Sequence, residues 1–363
     1  MRLWLASPVA SDIPDESFNP QTWEKLATQQ IRDFQQSSIY GPVYNRISPP
    51  KNMILFIGDG MSSSTITAAR YLKAANMKKP AGEVVLDWEL WPTVSLVHTF
   101  SANRMTTDSA AAATAIVCGS KVAQFVVGLA GVKECCMCES FDPAQKLQST
   151  LIQAQKKGLS VGIVTTTRIT HATPAATYAH STDRNQENQP YALTETLVLE
   201  RAVNSTIELV DTNQTLVLVT ADHSHGYGVI GYANRRTHIL GLDDSQLPRV
   251  TSFRLMMDIR ISSQITLVVQ ELPLVNRVRI LQPGEIFGNA YRQQALIPLR
   301  RGVHAADDVP LYATGPFNQL FHRPVDNTFV AYATMFSLCL GPYENEPHCS
   351  QQNATSSTDL PAV

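Results

Sequence analysis

The sequence predicts an α/β protein: a large, mostly parallel sheet flanked by helices on both faces. Three observations predict it. The apolar runs Asn52-Met53-Ile54-Leu55-Phe56-Ile57, Val161-Gly162-Ile163-Val164 and Leu216-Val217-Leu218-Val219 have the length and continuity of strands buried on both sides. Helical spacing and an alanine-rich stretch separate these runs, as crossover connections between parallel strands require. Each run also ends in Gly, Asp, His or Thr, at the strand end where ligands collect in such sheets.

The first run closes on Gly58-Asp59-Gly60, which by itself reads as a turn. Next, Asp108-Ser109 precedes Ala110-Ala111-Ala112-Ala113, a strongly helix-forming run. Asp-Ser at that point is an ordinary helix cap. It also sets a hydroxyl nucleophile at a helix N-terminus, where unpaired N–H groups and the helix dipole favour an anion. The run ending at Val164 leads into Thr165-Thr166-Thr167, with His171 and Thr173 close behind. From Tyr191 to Val210, helical spacing places Ala192, Leu199, Val203, Ile207 and Val210 on one face, expected to pack on the sheet.

The third run leads into Ala221-Asp222-His223-Ser224-His225. Burying an adjacent Asp and His is costly unless they are paired or hold a metal. The strands ending at Ile57, Val164 and Val219 are expected to lie close together, aiming oxygen and imidazole ligands into one crevice. Further on, Ile265-Thr266-Leu267-Val268-Val269 and the run 275–281 alternate like strands, and the polar tail 350–363 reads as disordered.

Composition bounds the function. No Pro/Gly/Ser-rich linker divides the 363 residues, so they are read as one domain, with an N-terminal arm over 1–50 and a divergent peripheral segment over 249–283. The net charge of −2 gives no basic footprint for nucleic acid. No segment has the length and apolarity of a transmembrane span, and Arg2-Leu3-Trp4-Leu5-Ala6 is a short hint of a signal peptide. The C-terminus lacks the apolar tail that directs a lipid anchor. Asn204, Asn213 and Asn353 head acceptor triplets for glycosylation if the chain is exported.

Five blocks together carry a specific resemblance: residues 52–70 (NMILFIGDGMSSSTITAAR), 106–119 (TTDSAAAATAIVCG), 162–184 (GIVTTTRITHATPAATYAHSTDR), 219–232 (VTADHSHGYGVIGY) and 303–343. In this order they resemble the eukaryotic-type alkaline phosphatase family. The resemblance implies hydrolysis of phosphate monoesters through a phosphoserine, assisted by Zn2+ and Mg2+, in a homodimer that is secreted or at the cell surface. It assigns Ser109 as the nucleophile and Arg184 as the clamp on the phosphoryl oxygens, a task suited to a planar guanidinium. Asp59 matches the carboxylate shared by one zinc and the magnesium, and Asp222 and His223 match the other protein ligands of that zinc. Thr173 matches a magnesium ligand with His171 behind it, and His304 matches a ligand of the second zinc. Two metals flanking an in-line displacement suit phosphoryl transfer.

The resemblance breaks after Arg184. The family carries a long segment there, which supplies the magnesium glutamate and two further ligands of the second zinc. Here Asn185-Gln186 passes directly into Glu187-Asn188-Gln189-Pro190, and Gln186 stands about where a zinc histidine belongs. An amide is a poor zinc ligand, and Glu187 and Glu195 lie at or beyond the junction. By this count the serine-activating zinc keeps Asp59, Asp222 and His223, the second zinc keeps His304 alone, and the magnesium keeps Asp59 and Thr173. Arg300, Arg301 and Gly302 add positive charge just before His304.

The resemblance also implies a disulfide between Cys339 and Cys349. It leaves Cys138 without its family partner, either free or joined under strain to Cys135 or Cys136, while Cys118 reads as a buried thiol. Three readings stand at this point: an impaired phosphomonoesterase, a non-catalytic pseudophosphatase that binds zinc or phosphate only, or an incomplete splice or gene-model product.

Overall fold

The computed structural model describes residues 14–44, 46–136, 141–184, 193–225 and 304–351. Its principal elements are α1 (Pro20–Gln36), β1 (Asn52–Gly58), α2 (Ser63–Asn76), β2 (Thr93–His98), α3 (Ser109–Cys118), α4 (Thr150–Lys156), α5 (Leu193–Leu209), β3 (Thr215–Ala221), β4 (Ser224–His225), β5 (His304–Ala305), β6 (Val309–Thr314) and α6 (Asn327–Ser337). These fall into two compact units. One is drawn from residues 52–98 and 188–324, the other from 1–51, 99–187 and 325–363.

In the first of these units the sheet runs β1-β3-β6-β2. It is mixed: β1 and β3 are parallel from Asn52 opposite Thr215 to Gly58 opposite Ala221, while β6 is antiparallel to both β3 and β2. Strand β3 is buried along its whole length, which explains its unbroken Leu-Val-Leu-Val run. Strand β1 is equally apolar but only half-buried, because β3 is its ladder partner on one side.

Helix α5 packs against α2 and β1. Its inward face differs from the expected one. Val203 is fully buried, but Leu199, Ile207 and Val210 are only partly so, and Thr196 and Glu200 are buried instead; Ala192 lies outside the described residues. An ion pair causes the rotation. Lys73 of α2 donates to the Glu200 carboxylate at 2.6 Å and to Asp87 at 2.9 Å, and Glu200 also accepts from the Asp87 backbone N–H at 3.0 Å. A satisfied buried carboxylate is tolerated where an unpaired one would not be.

The second unit is mainly helical. α1 begins at the Asn19 cap with proline at its first position and buries Trp23, Ala27, Ile31 and Phe34, one stripe of a 3.6-residue period. Each such large side chain contributes about 1.5–3 kcal/mol on burial. α3 is buried from Ser109 to Val117 and packs against α6, which is buried at every position. The small alanines of α3 permit that close approach. The helix stops at Gly119, at φ +74°, where a Cβ would lie 2.7 Å from the Tyr332 ring of α6. Only glycine fits there.

Residues 161–164 were expected as a strand beside β1 and β3, and they form none; Val164 is fully exposed. The reason is physical: an extended run becomes a strand only by sharing a hydrogen-bonded ladder. In the described part of its unit the nearby ladder contacts are isolated bridges at Val127–Ser181 and Leu129–Lys146.

Cys339 and Cys349 are joined, with Cα atoms 5.8 Å apart, as expected. Cys135 and Cys136 are bonded to each other, and Cys138 lies outside the described residues. Cys118 is a free thiol that burial pushes up to about 12, which leaves it inert at neutral pH. Also outside the described residues lie the junction at 185–190, residues 265–281, Arg300 to Gly302 and the tail from 352; the side chain of Glu195 is likewise not described. Among the described residues, no helix is long and apolar enough to cross a membrane.

Candidate active site

The helical unit holds Ser109, Arg184, His171 and Thr173. Ser109 opens α3 and is 2% exposed. The preceding Asp108 caps the helix, accepting from the N–H groups of Ala110 at 3.1 Å and Ala111 at 3.3 Å. It does more than cap. The same carboxylate accepts from the Phe125 N–H at 2.9 Å and from the Arg184 guanidinium at 3.2 Å. A second guanidinium nitrogen of Arg184 donates to His171 Nε2 at 3.2 Å, since arginine can only donate. The His171 proton therefore sits on Nδ1. Asp108 and His171 thus fix Arg184, leaving other donors of its five-donor fork for an anion. Thr173 sits one residue into the short helical turn Ala172–Ala175 that His171 caps.

The sheet unit holds Asp59, Asp222, His223 and His304. Asp59 follows β1, and Asp222 and His223 follow β3, so the parallel pairing of those strands brings the three together. Asp222 and His223 are fully buried, while Asp59 is partly exposed. One oxygen of Asp222 accepts from the Gly60 and His223 backbone N–H groups, each at 2.9 Å. Its other oxygen lies 3.4 Å from His223 Nε2, and an Asp59 oxygen lies 3.7 Å from the same nitrogen.

His223 Nδ1 donates to the Ser224 carbonyl at 3.2 Å, a group that can only accept. Its Nε2 is turned toward two carboxylate oxygens. Such a set of mutually facing acceptors is held together by a proton or a cation. Burial first, and the neighbouring Asp59 second, push Asp222 up to about 7. The separations are close to the roughly 3.3–3.5 Å between ligands of a tetrahedral zinc with bonds near 2.0–2.2 Å. The donor set thus fits a divalent cation.

His304 lies on β5, in the same unit, with its ring centroid 3.9 Å from that of His223. Sequence reasoning passed over two residues in these groups. Asp108 reads as a cap, and nothing local signals that it also holds Arg184. His225 was noted only as part of a run, although its alternation with His223 around Ser224 puts both imidazoles on one side of an extended segment.

The comparisons with known proteins give the family and the fold. The alkaline phosphatase family profile matches residues 50–191 and 186–340. The chain is 25% identical to the tissue-nonspecific alkaline phosphatase of Gallus gallus over an alignment of 516 positions, covering 98% of this chain and 96% of the relative. It is 37% identical to the corresponding isozyme of Homo sapiens over 189 residues, or 50% of this chain; that match spans 34% of the human protein. Among solved structures, the alkaline phosphatase of the Antarctic bacterium TAB5 superimposes with a TM-score of 0.52 at 16% identity, covering 81% of this chain and 99% of that one. That of Thermus thermophilus gives 0.52 at 17% identity, covering 84% and 94%. These superpositions carry the fold, and the profile carries the family across most of the sequence. The chain belongs to the alkaline phosphatase family, whose fold is α/β.

Proposed function

We propose that this chain is a metal-dependent phosphate monoester hydrolase acting through a phosphoserine at Ser109, with turnover below that of intact relatives. The observation that supports a bound cation is the buried Asp222 carboxylate facing His223 Nε2 at 3.4 Å, with Asp59 beside it. Asp59, Asp222 and His223 would hold a zinc ion, which would supply charge to lower the pKa of the attacking hydroxyl. Mg2+ belongs to this reading by family resemblance alone.

The chain's own groups do the rest. Ser109 Oγ gives up its hydroxyl proton to solvent and forms the new O–P bond as the ester O–P bond breaks, and the leaving alcohol takes up a proton from solvent. Water then cleaves the phosphoserine, releasing phosphate and restoring the hydroxyl. Arg184, fixed by Asp108 and His171, orients the phosphoryl oxygens. A homodimer outside the cell, built on one domain over 1–363, belongs to this reading by family resemblance.

Impairment follows from the missing ligands. An internal segment absent after Arg184 is supported by two facts: the family profile matches in two pieces that meet at 186–191, and the Gallus gallus alignment runs over 516 positions against 363 residues. These same facts favour the second reading, a pseudophosphatase or an incomplete gene product that binds phosphate or zinc only. Acid-quench labelling with a phosphoryl donor separates the two. The hydrolase reading expects phosphate on Ser109 and slow release of p-nitrophenol from its phosphate ester at alkaline pH. Metal binding without any label on Ser109 supports the second reading and overturns the first.

A further inference from the structure

The loss of two family ligands leaves His304 alone by motif, but the structure gives it a neighbour. β4 and β5 form a two-residue antiparallel ladder in which His225 stands directly opposite His304, and Ser224 opposite Ala305. Residues directly opposite in an antiparallel ladder project to the same face with Cβ atoms about 4.5–5.5 Å apart. The two imidazole rings accordingly lie 5.2 Å apart between centroids, and His223 lies 5.0 Å from His225. A nitrogen from each of the three rings falls within 4.8 Å of the others.

Two features hold the register. Ser224 Oγ bonds across the ladder to the Ala305 carbonyl at 2.9 Å and to Asp307 at 3.1 Å. Gly60, at φ +68°, lies against the His225 ring so closely that a Cβ there would come within 2.0 Å of Nδ1. That Nδ1 is a buried nitrogen with no hydrogen-bond partner. A buried polar atom left unsatisfied is costly, and a nitrogen in a three-imidazole cluster has an evident alternative use.

The geometry points to His225 as a second protein ligand, across the ladder from His304, for the imidazole-preferring divalent ion that the resemblance already gives to His304. His223 borders this site, but its Nε2 faces Asp59 and Asp222, so it serves the first ion. The second ion keeps two protein ligands and open positions for water or a phosphoryl oxygen. It is the weaker of the two sites, because well-held catalytic zinc has three protein ligands. His225 thus takes the part of one ligand lost with the missing segment. This inference rests on the proposed cation chemistry of the Asp59–Asp222–His223 group, and the test separates the two.

Zinc alone is titrated calorimetrically into the metal-stripped full chain, into Asp222→Asn and into His225→Ala. The wild type is expected to bind a tight and a weaker equivalent. Asp222→Asn removes the tight one, and His225→Ala weakens the other by about tenfold or more. An unchanged isotherm in a folded His225→Ala overturns the second site and leaves the first standing; a wild type that binds no zinc overturns both. Should His225→Ala not fold, carbethoxylation of the wild type mapped by mass spectrometry decides. Zinc is expected to protect His225 and His304 over the same concentration range. Equal labelling of His225 with and without zinc would overturn the site.

Discussion

Asp108 and Asp222 are both aspartates with no exposed surface, yet their surroundings are opposite. Asp108 accepts from three backbone N–H groups and from the Arg184 guanidinium, so its charge is balanced by the chain itself. Asp222 accepts from two backbone N–H groups on one oxygen and turns the other toward the His223 imidazole, with the Asp59 carboxylate close by. Asp108 thus faces donors and a guanidinium, whereas Asp222 shares its surroundings with a second carboxylate, the setting in which a cation would be favoured.

The sharpest test of the clamp is chemical. Ser109→Ala should reduce phosphomonoester turnover on the order of 10³-fold or more, since a nucleophile acts as a unit with its surroundings. Undiminished turnover would sink the assignment. Next in size is stability. Asp108→Ala removes the cap and leaves Arg184 without its buried partner, and should cost about 3–5 kcal/mol in denaturant unfolding. Asp222→Asn should do the reverse in metal-free protein well above pH 7, where an amide can donate to His223 Nε2 and the ionised carboxylate cannot; a gain of about 1 kcal/mol is expected. If both variants destabilise alike, the contrast between the two aspartates is wrong.

A further test lies in the helical unit and concerns a charge that is buried and paired. Lys121 is 1% exposed, ion-paired to Asp326 at 3.1 Å, bonded to the Phe100 carbonyl and to Asn327 Oδ1 at 2.7 Å each, and set 3.9 Å over the Phe100 ring. Burial outweighs these partners and lowers its pKa to about 8. Below that pH Lys121 is charged in both folded and unfolded chains. Between about 8 and its ordinary value of 10.5 the unfolded chain holds the additional proton, so stability should rise with pH across that window. Thermal unfolding followed from pH 7.5 to 10.5 should show this component in the wild type and lose it in Lys121→Met. A variant with the same pH slope as wild type would place the titrating group elsewhere.

Much of this was legible in the sequence, for reasons that differ by residue. β3 announces itself because a strand buried on both faces must be apolar throughout, and β1 because its equally apolar run pairs beside it; Asp59, Asp222 and His223 follow because strand ends fix where the next residues fall. Residues 161–164 misled because apolarity predicts burial, whereas a strand also needs a neighbour to share its ladder. The face of α5 was missed because Glu200 is buried only by virtue of Lys73, a partner on another helix that no periodicity reveals. The double use of Asp108 and the opposition of His225 and His304 depend on contacts between distant residues. Local patterns are silent about those.

The two-residue ladder between β4 and β5 has a topological consequence. Its strands are roughly 80 residues apart in sequence, and the entropy of closing a loop grows only as the logarithm of its length. A cation gripped by both strands would act as a reversible cross-link across that loop. On the chain-entropy model such a link restricts the unfolded chain by up to about 4–5 kcal/mol, less whatever its geometry costs. Lengthening or rewriting the sequence between 225 and 304 would barely alter that figure. Such an ion would add to the Ser224 hydrogen bonds that already join the two strands.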